Sequence, residues 1–153
     1  MQQILKETGL DPRCLDLEIT ETLAINHIEE VMEKLLLLNE NGIRISIDDF
    51  GTGHSSLAYL KDFPIQTLKI AREFILDFQD PANQAIITTI ISLAKNLNLT
   101  VIAEGVETGE QIQFLKQQGC DEVQGYYFSK PSPSYVLEES FIRLKEVAAS
   151  LDQ

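Results

Sequence analysis

The feature that most constrains this chain is its rhythm. Short apolar runs rich in β-branched residues alternate, five times, with stretches of helical periodicity. Residues 15–19 (LDLEI), 43–47 (IRISI), 66–70 (QTLKI), 100–103 (TVIA) and 122–124 (EVQ) read as strands. After the first strand, Asn26 with Glu29 three residues on reads as a helix start, and a helix through Val31, Leu35 and Leu38 stops near Gly42. A glycine-punctuated loop (DDFGTGHSS) and a short helix about residues 56–60, ended by Pro64, lead to the third strand. Asp80 followed by Pro81 opens a long helix with Ile86, Ile87, Ile90, Ile91, Ala94 and Leu97 as its core stripe. Thr108 with Gln111 caps the next helix, which closes at Gly119. Ser132 and Pro133 start a terminal helix reaching about residue 149, and residues 1–8 read as a helix left over from a preceding unit.

Strands separated by single helices imply parallel pairing with right-handed crossovers. The fold class is therefore α/β, and two architectures fit: an open doubly wound sheet, or an arc of a (β/α)8 barrel. A whole barrel takes about 250 residues, so 153 residues supply about five of its eight units. The chain reads as one domain, with no low-complexity linker and no internal repeat.

Charge narrows the partners. Lys and Arg number 12 against 24 Asp and Glu, a net charge of −12. Such a surface repels nucleic-acid backbones and anionic membranes, so no nucleic-acid partner is expected, and a phosphate compound would be handled through a divalent metal. No run approaches the roughly 20 apolar residues of a membrane helix. Lys6, Glu7 and Asp11 interrupt any leader-like core near Met1, which makes the cytoplasm the expected location. Cys14 and Cys120 lack metal-site spacing and read as packing residues.

Polar residues interrupt the strands in one place. Glu18 and Glu21 mark the end of the first strand, Asp48 and Asp49 the second, Lys69 the third, Glu104 the fourth and Gln124 the fifth. Ligands of parallel α/β folds bind at the C-terminal ends of strands, and an oxygen-only donor set favours Mg2+ or Mn2+ over zinc. The set suits metal-assisted phosphodiester hydrolysis. Asp48 and Asp49 would reach different ions, Lys69 would offset negative charge or orient the nucleophile, and Glu104 is placed as general base. Each residue also has a plainer reading. Asp48 and Asp49 before Gly51 make a turn signal, Glu18 and Lys69 suit solvent-facing strand positions, and Glu104 and Glu107 around Gly105 suit a helix start. His27 and His54 stand alone and read as structural or exposed.

In chain order, Glu18-Ile19-Thr20-Glu21, Asp48-Asp49-Phe50-Gly51-Thr52-Gly53 with Ser55-Ser56-Leu57, Leu68-Lys69-Ile70, Glu104-Gly105-Val106-Glu107 and Gln124-Gly125-Tyr126 closely resemble the EAL domain family. Its members are bacterial cyclic-di-GMP phosphodiesterases of signal transduction, built on a modified TIM-like (β/α)8 barrel. The resemblance covers about residues 1 to 145. It implies two divalent ions, Mg2+ or Mn2+, that help cut cyclic-di-GMP to the linear dinucleotide pGpG. Glu18, Asp48 and Asp49 would bind metal, Lys69 and Glu104 would serve the nucleophilic water, and Gln124 would support them. The loop 49–56, with Gly51, Thr52, Gly53, Ser55 and Ser56, would be the family's mobile loop, implicated in dimer contacts and metal-site integrity. Glu21 and Glu107 would hold it.

Departures from the family pattern set further expectations. The Glu-Ala-Leu signature and the asparagine-bearing strand after it are absent, so this reads as a truncated member whose first part would lie upstream of Met1. The family's Leu-Lys-Ile-Asp reads Leu68-Lys69-Ile70-Ala71, replacing a metal carboxylate with a methyl group, and His54 stands where tyrosine is usual. Loss of one electrostatic partner at such a site costs about 10²–10³ in rate, so the polypeptide alone is expected to be inactive. The alternative is a non-catalytic module that binds cyclic-di-GMP or a protein partner. The exposed edges of a partial barrel point to a homodimer, to completion by an upstream polypeptide, or to a poorly stable remnant.

Overall fold

The computed structural model describes residues 2–26, 28–53 and 60–137, together with 140, 141 and 145. A five-stranded parallel sheet runs through them: β1 Asp16–Thr20, β2 Arg44–Phe50, β3 Thr67–Ile70, β4 Thr100–Glu104 and β5 Glu122–Gln124. The strands lie side by side in sequence order. A doubly wound sheet reverses its strand order at a switch point; this one does not, so the arrangement is that of a barrel arc.

Among the described residues these helices accompany the strands: α1 Gln2–Thr8, α2 Glu21–Asn26, α3 Ile28–Glu40, α4 Arg72–Leu76, α5 Pro81–Asn96 and α6 Gly109–Gln118. Two follow their local signals closely. Asp80 accepts from the Ala82 N–H with Pro81 in the first turn of α5, and Thr108 and Gln111 close a reciprocal capping box on α6. Gly119 ends α6 in a left-handed conformation, φ 79°.

Elsewhere tertiary contacts overrule the local reading. The helix expected from Asn26 through Val31, Leu35 and Leu38 is α3, Ile28–Glu40, which ends just before Gly42; ahead of it an unexpected helix, α2, starts at Glu21 and has Asn26 as its last residue. Glu21 is buried and its carboxylate is claimed by the loop after β2, so the start of α2 is fixed by that long-range bond. Strand β2 continues three residues past Ile47, to Phe50, because Phe50 is a core residue that pairs with Ile70. Helix α4 has no counterpart among the expected elements. Its N-cap is Ala71, which offers no side-chain hydrogen bond, so no start signal is legible there. Ile86, expected in the stripe of α5, is exposed, while Ile87, Ile90, Ile91 and Ala94 are buried. Cys14 is exposed rather than packed, and Cys120 lies partly buried against the core. Of the expected short helix at 56–60 only Leu60 is described, helical and buried; its other residues and His27, His54 and Ser55 lie outside the described residues. Of the terminal helix, residues 134–137, 140, 141 and 145 are described, and all are helical.

Successive side chains of a strand point to opposite faces, and the sheet separates its residues accordingly. One face carries Leu17, Ile19, Ile45, Ile47, Leu68, Ile70, Val101 and Ala103. It packs on Leu35 of α3, Phe74 and Ile75 of α4, the α5 stripe, and Ile112 and Leu115 of α6. Burying each large aliphatic side chain contributes roughly 1.5–3 kcal/mol, and this layer holds the fold together. The other face reads Asp16, Glu18, Arg44, Ser46, Asp48, Thr67, Lys69, Thr100, Ile102, Glu104, Glu122 and Gln124. Barrel interiors are ordinarily filled with branched apolar side chains; here Ile102 alone among these positions is apolar. Ser46 Oγ donates to Asp16 Oδ1 at 2.7 Å, and Arg44 reaches Asp16 at 3.9 Å.

Candidate active site

Lys69 is the hub of the polar face. It sits on β3, the middle strand, with only 5% of its side chain exposed. Its ammonium lies 2.6 Å from Glu18 Oε1 on β1, 2.5 Å from Glu104 Oε1 on β4 and 3.5 Å from Asp48 Oδ1 on β2. A buried ammonium with no partner would shed its proton. Burial does press in that direction, but the hydrogen bonds Lys69 donates to Glu104 and Glu18, with the charges of Glu104 and Asp48 behind them, outweigh it. They hold the Lys69 pKa well above the ordinary lysine value. The residue is a fixed cation.

Adjacent Asp48 and Asp49 would face opposite ways in a regular strand. Two irregularities prevent this. The β2–β3 register shifts between Ile47 and Phe50, and Asp49 takes a left-handed conformation, φ 52°. That conformation is uncommon outside glycine and is tolerated best by Asn and Asp. The result is a cluster in which Asp48, Asp49 and Glu104 each present a carboxylate oxygen, all within 4.8 Å of one another. Asp48 Oδ1 is buried, accepts no hydrogen bond, and has the Lys69 ammonium at the 3.5 Å already noted. A buried acceptor left without a donor costs about 1–3 kcal/mol. An orphaned carboxylate oxygen in an all-oxygen set fits a hard divalent cation.

The loop that follows is tied back to the site. Glu21 Oε2 accepts from the Gly51 N–H at 2.9 Å and from the Gly53 N–H at 3.3 Å, and Thr52 Oγ1 donates to the Asp49 carbonyl at 2.9 Å. Gly51 is at φ 99° with its Cα facing Phe74 and Ile90, where a side chain would be crowded as well as strained.

Not every expected residue converges on this centre. Glu107 pairs with Arg72, Nη2 to Oε1 at 2.9 Å, so its partner among the described residues is the start of α4; residues 54–56 of the loop it was expected to hold lie outside them. The reason for that pairing is the turn after β4. Gly105 sits at φ 73°, its Cα against the Arg72 side chain, and a Cβ there would collide with that side chain. Gln124 ends β5 beside Glu104 in register. It is exposed and lines a cavity of about 180 Å3 with Arg72, Glu104, Gly105, Glu107, Gly125 and Tyr126. One supporting residue read only as a cap does more. Gln111 is buried, accepts from the Glu107 and Thr108 N–H groups at 2.7 and 3.0 Å, and donates to the Ile75 carbonyl at 2.8 Å. It thereby joins the loop that carries Glu107 to α4. Its sequence signal, a capping-box glutamine, does not show the third bond.

Taken together, the centre can hold a divalent cation with Asp48, Asp49 and Glu104 while Lys69 balances their charge. A model of the EAL domain matches residues 1–131. The chain is 46% identical over 146 residues to the cyclic di-GMP phosphodiesterase NbdA of Pseudomonas aeruginosa, an alignment that covers 94% of this chain and 18% of that protein. It superposes on the solved complex of the P. aeruginosa MucR phosphodiesterase with c-di-GMP at a TM-score of 0.86 and 42% identity, covering 89% of this chain and 56% of that one. The manganese and cyclic-di-GMP complex of Klebsiella pneumoniae BlrP1 superposes at a TM-score of 0.77 and 35% identity, over 83% of this chain and 33% of that one. The chain thus spans about a fifth of the length of the curated relative. With the parallel arc, the acidic cluster and these likenesses in agreement, the chain belongs to the EAL domain family.

Proposed function

We propose that this chain is a cyclic-di-GMP-handling module that carries one part of a metal-dependent phosphodiesterase centre, and that the 153-residue polypeptide by itself does not turn the nucleotide over. The observation that carries the reading is the buried Lys69 ammonium between Glu18, Asp48 and Glu104, beside an Asp48 Oδ1 that accepts no hydrogen bond. The likeness to the MucR and BlrP1 complexes supports the nucleotide, and the oxygen donor set supports Mg2+ or Mn2+.

Asp48, Asp49 and Glu104 would hold the cation, with Glu18 reaching the centre through Lys69. When bound, such an ion lowers the pKa of a coordinated water and offsets charge on the phosphodiester. The chain's own residues do the rest. Lys69 sets one positive charge against three carboxylates, Glu104 is placed to take a proton from water, and Glu21 fixes the loop that follows Asp49. Three carboxylates leave the other positions around such an ion to water or phosphate oxygens, and position 71 offers a methyl group where a further carboxylate was expected. Ala71 is 2% exposed, at the point where β3 hands over to α4. That observation favours a second reading, a module that binds cyclic-di-GMP or a protein without cutting. Among the described residues β1 and β5 each pair on one side only, so a homodimer or further polypeptide packed along those edges would bring additional ligands to the centre.

The test is incubation of the purified chain with cyclic-di-GMP and Mn2+, following pGpG by chromatography. No product, with nucleotide binding retained in a titration, is the expected result. Turnover abolished by Glu104→Ala would instead establish an assembled catalytic centre. No binding at all would overturn the proposal.

A further inference from the structure

The cations of this acidic chain are unevenly placed beside the centre. Tyr126 projects just past β5, half exposed. The Arg72 guanidinium lies 5.9 Å from its ring centroid and the Lys130 ammonium 5.5 Å. Both distances fall within cation–π range. Gln124, Gly125 and Tyr126 line two cavities at once. The smaller, of about 180 Å3, reaches Glu104 and contains Arg72. The larger, of about 740 Å3, contains Lys130 together with Ile102, Phe128 and Pro131. The two therefore form one groove that starts at the acidic centre and passes over the Tyr126 ring.

Each cation has capacity to spare. Arg72 gives one N–H to Glu107 out of the five a guanidinium carries. Lys130 has no ion pair among the described residues, and its neighbour is the ring. Lys69, by contrast, is consumed by its three carboxylates. A ligand with two phosphodiesters cannot place both at one metal cluster. Its second anion needs positive charge nearby, against a net charge of −12.

We infer that Arg72 and Lys130, held at a fixed spacing by Tyr126, form a recognition site for a second phosphodiester anion, one the carboxylate centre does not touch. Tyr126 is a positioning residue: its ring steers two long flexible cations to the rim of the groove and lowers the entropy of ordering them on the ligand. The mostly apolar cavity that Lys130 lines with Ile102, Phe128 and Pro131 leaves room for the base attached to that phosphate. The inference deepens the cyclic-di-GMP reading and rests on it for the identity of the ligand, but the anion site has its own test.

That test uses amide resonances of the whole chain in EDTA, where the carboxylate centre holds no divalent ion, with inorganic pyrophosphate as probe. Shifts confined to the amides of residues 72, 126 and 130 and their neighbours are expected. They should weaken about tenfold in Lys130→Gln and in Tyr126→Leu, and return in Tyr126→Phe, which keeps the ring. Removing one phosphate-binding cation should also lower the dependence of log affinity on log salt by about one unit; a residue that only supports the fold would not change that slope. Unaltered affinity and slope in Lys130→Gln, or no response of these amides to pyrophosphate, would overturn the anion site. Cyclic-di-GMP titrated in parallel separates the two ideas. Pyrophosphate binding without cyclic-di-GMP binding would overturn the proposed function and keep the anion site, and the converse would do the reverse.

Discussion

The two faces of β3 lie one residue apart and obey different physics. Leu68 and Ile70 point to the helices, wholly buried in an apolar layer. Thr67 and Lys69 point the other way, equally shielded from water, yet the ammonium of Lys69 is met by three carboxylates. Burial by itself therefore does not mark the core. The helix-side layer draws its stability from apolar area, which tolerates some repacking. The opposite layer holds together through compensated charge, which does not tolerate the loss of one partner. The pleat of a strand thus separates what keeps the protein folded from what gives it chemistry.

That contrast can be broken from either side. The largest effect is expected from the apolar face. Leu68→Ala should cost about 4 kcal/mol, the usual range for a cavity in a packed layer, and Mn2+ should not restore it in a denaturant melt. Lys69→Met strikes the other face and leaves Glu18, Asp48 and Glu104 without their cation. A loss of about 3 kcal/mol is expected, and here Mn2+ should recover a large part, since the ion replaces the missing charge. If metal fails to rescue Lys69→Met, the carboxylates are not a cation site.

Ala71→Asp sharpens the comparison at the junction between the two faces. The new carboxylate can cap α4, which lacks a side-chain cap, for about 1 kcal/mol, while its own burial opposes that gain. Little net change is expected in metal-free melts, with a clear rise in Mn2+ affinity by calorimetry. Unchanged affinity would show that position 71 does not face the metal cluster.

The smallest effect concerns the cysteines. Burial chiefly, with the Asp121 charge beside it, pushes the Cys120 thiol up to about 11 from an ordinary 9.0, whereas Cys14 is exposed. Alkylation at neutral pH should label Cys14 alone, read by peptide mass. Between pH 9 and 11 the unfolded chain gives up the Cys120 proton while the folded chain keeps it, so this group's contribution to stability is present below 9 and lost as pH rises through 11. Labelling of Cys120 at neutral pH at the rate of Cys14 would contradict that burial.

Much of the fold is legible in the residues themselves. The alternation of apolar runs and helical stripes places all five strands within a few residues, and Asp80 with Pro81, Thr108 with Gln111, and Gly119 mark helix ends where the structure has them. These signals are local, made by groups within four residues of each other, so a linear reading suffices. The order of chemistry-bearing residues at strand ends is legible for the same reason, because parallel strands bring like ends together.

Other features needed the third dimension. No local rule starts a helix at Ala71, and α4 exists because Phe74 and Ile75 find the core. The beginning of α2 depends on a carboxylate bonded to a loop 30 residues on. Glu107 turned to Arg72 because Gly105 leaves room for that side chain. The left-handed Asp49 and the shifted register, which turn two adjacent carboxylates into one cluster, arise from pairing with β3. Sequence alone determined the inventory of elements and of acids and bases, since those depend on neighbours along the chain. Tertiary structure alone decided which charges meet: Lys69 is 51 residues from Glu18 in sequence and 2.6 Å from it in space, and only the packed sheet closes that distance.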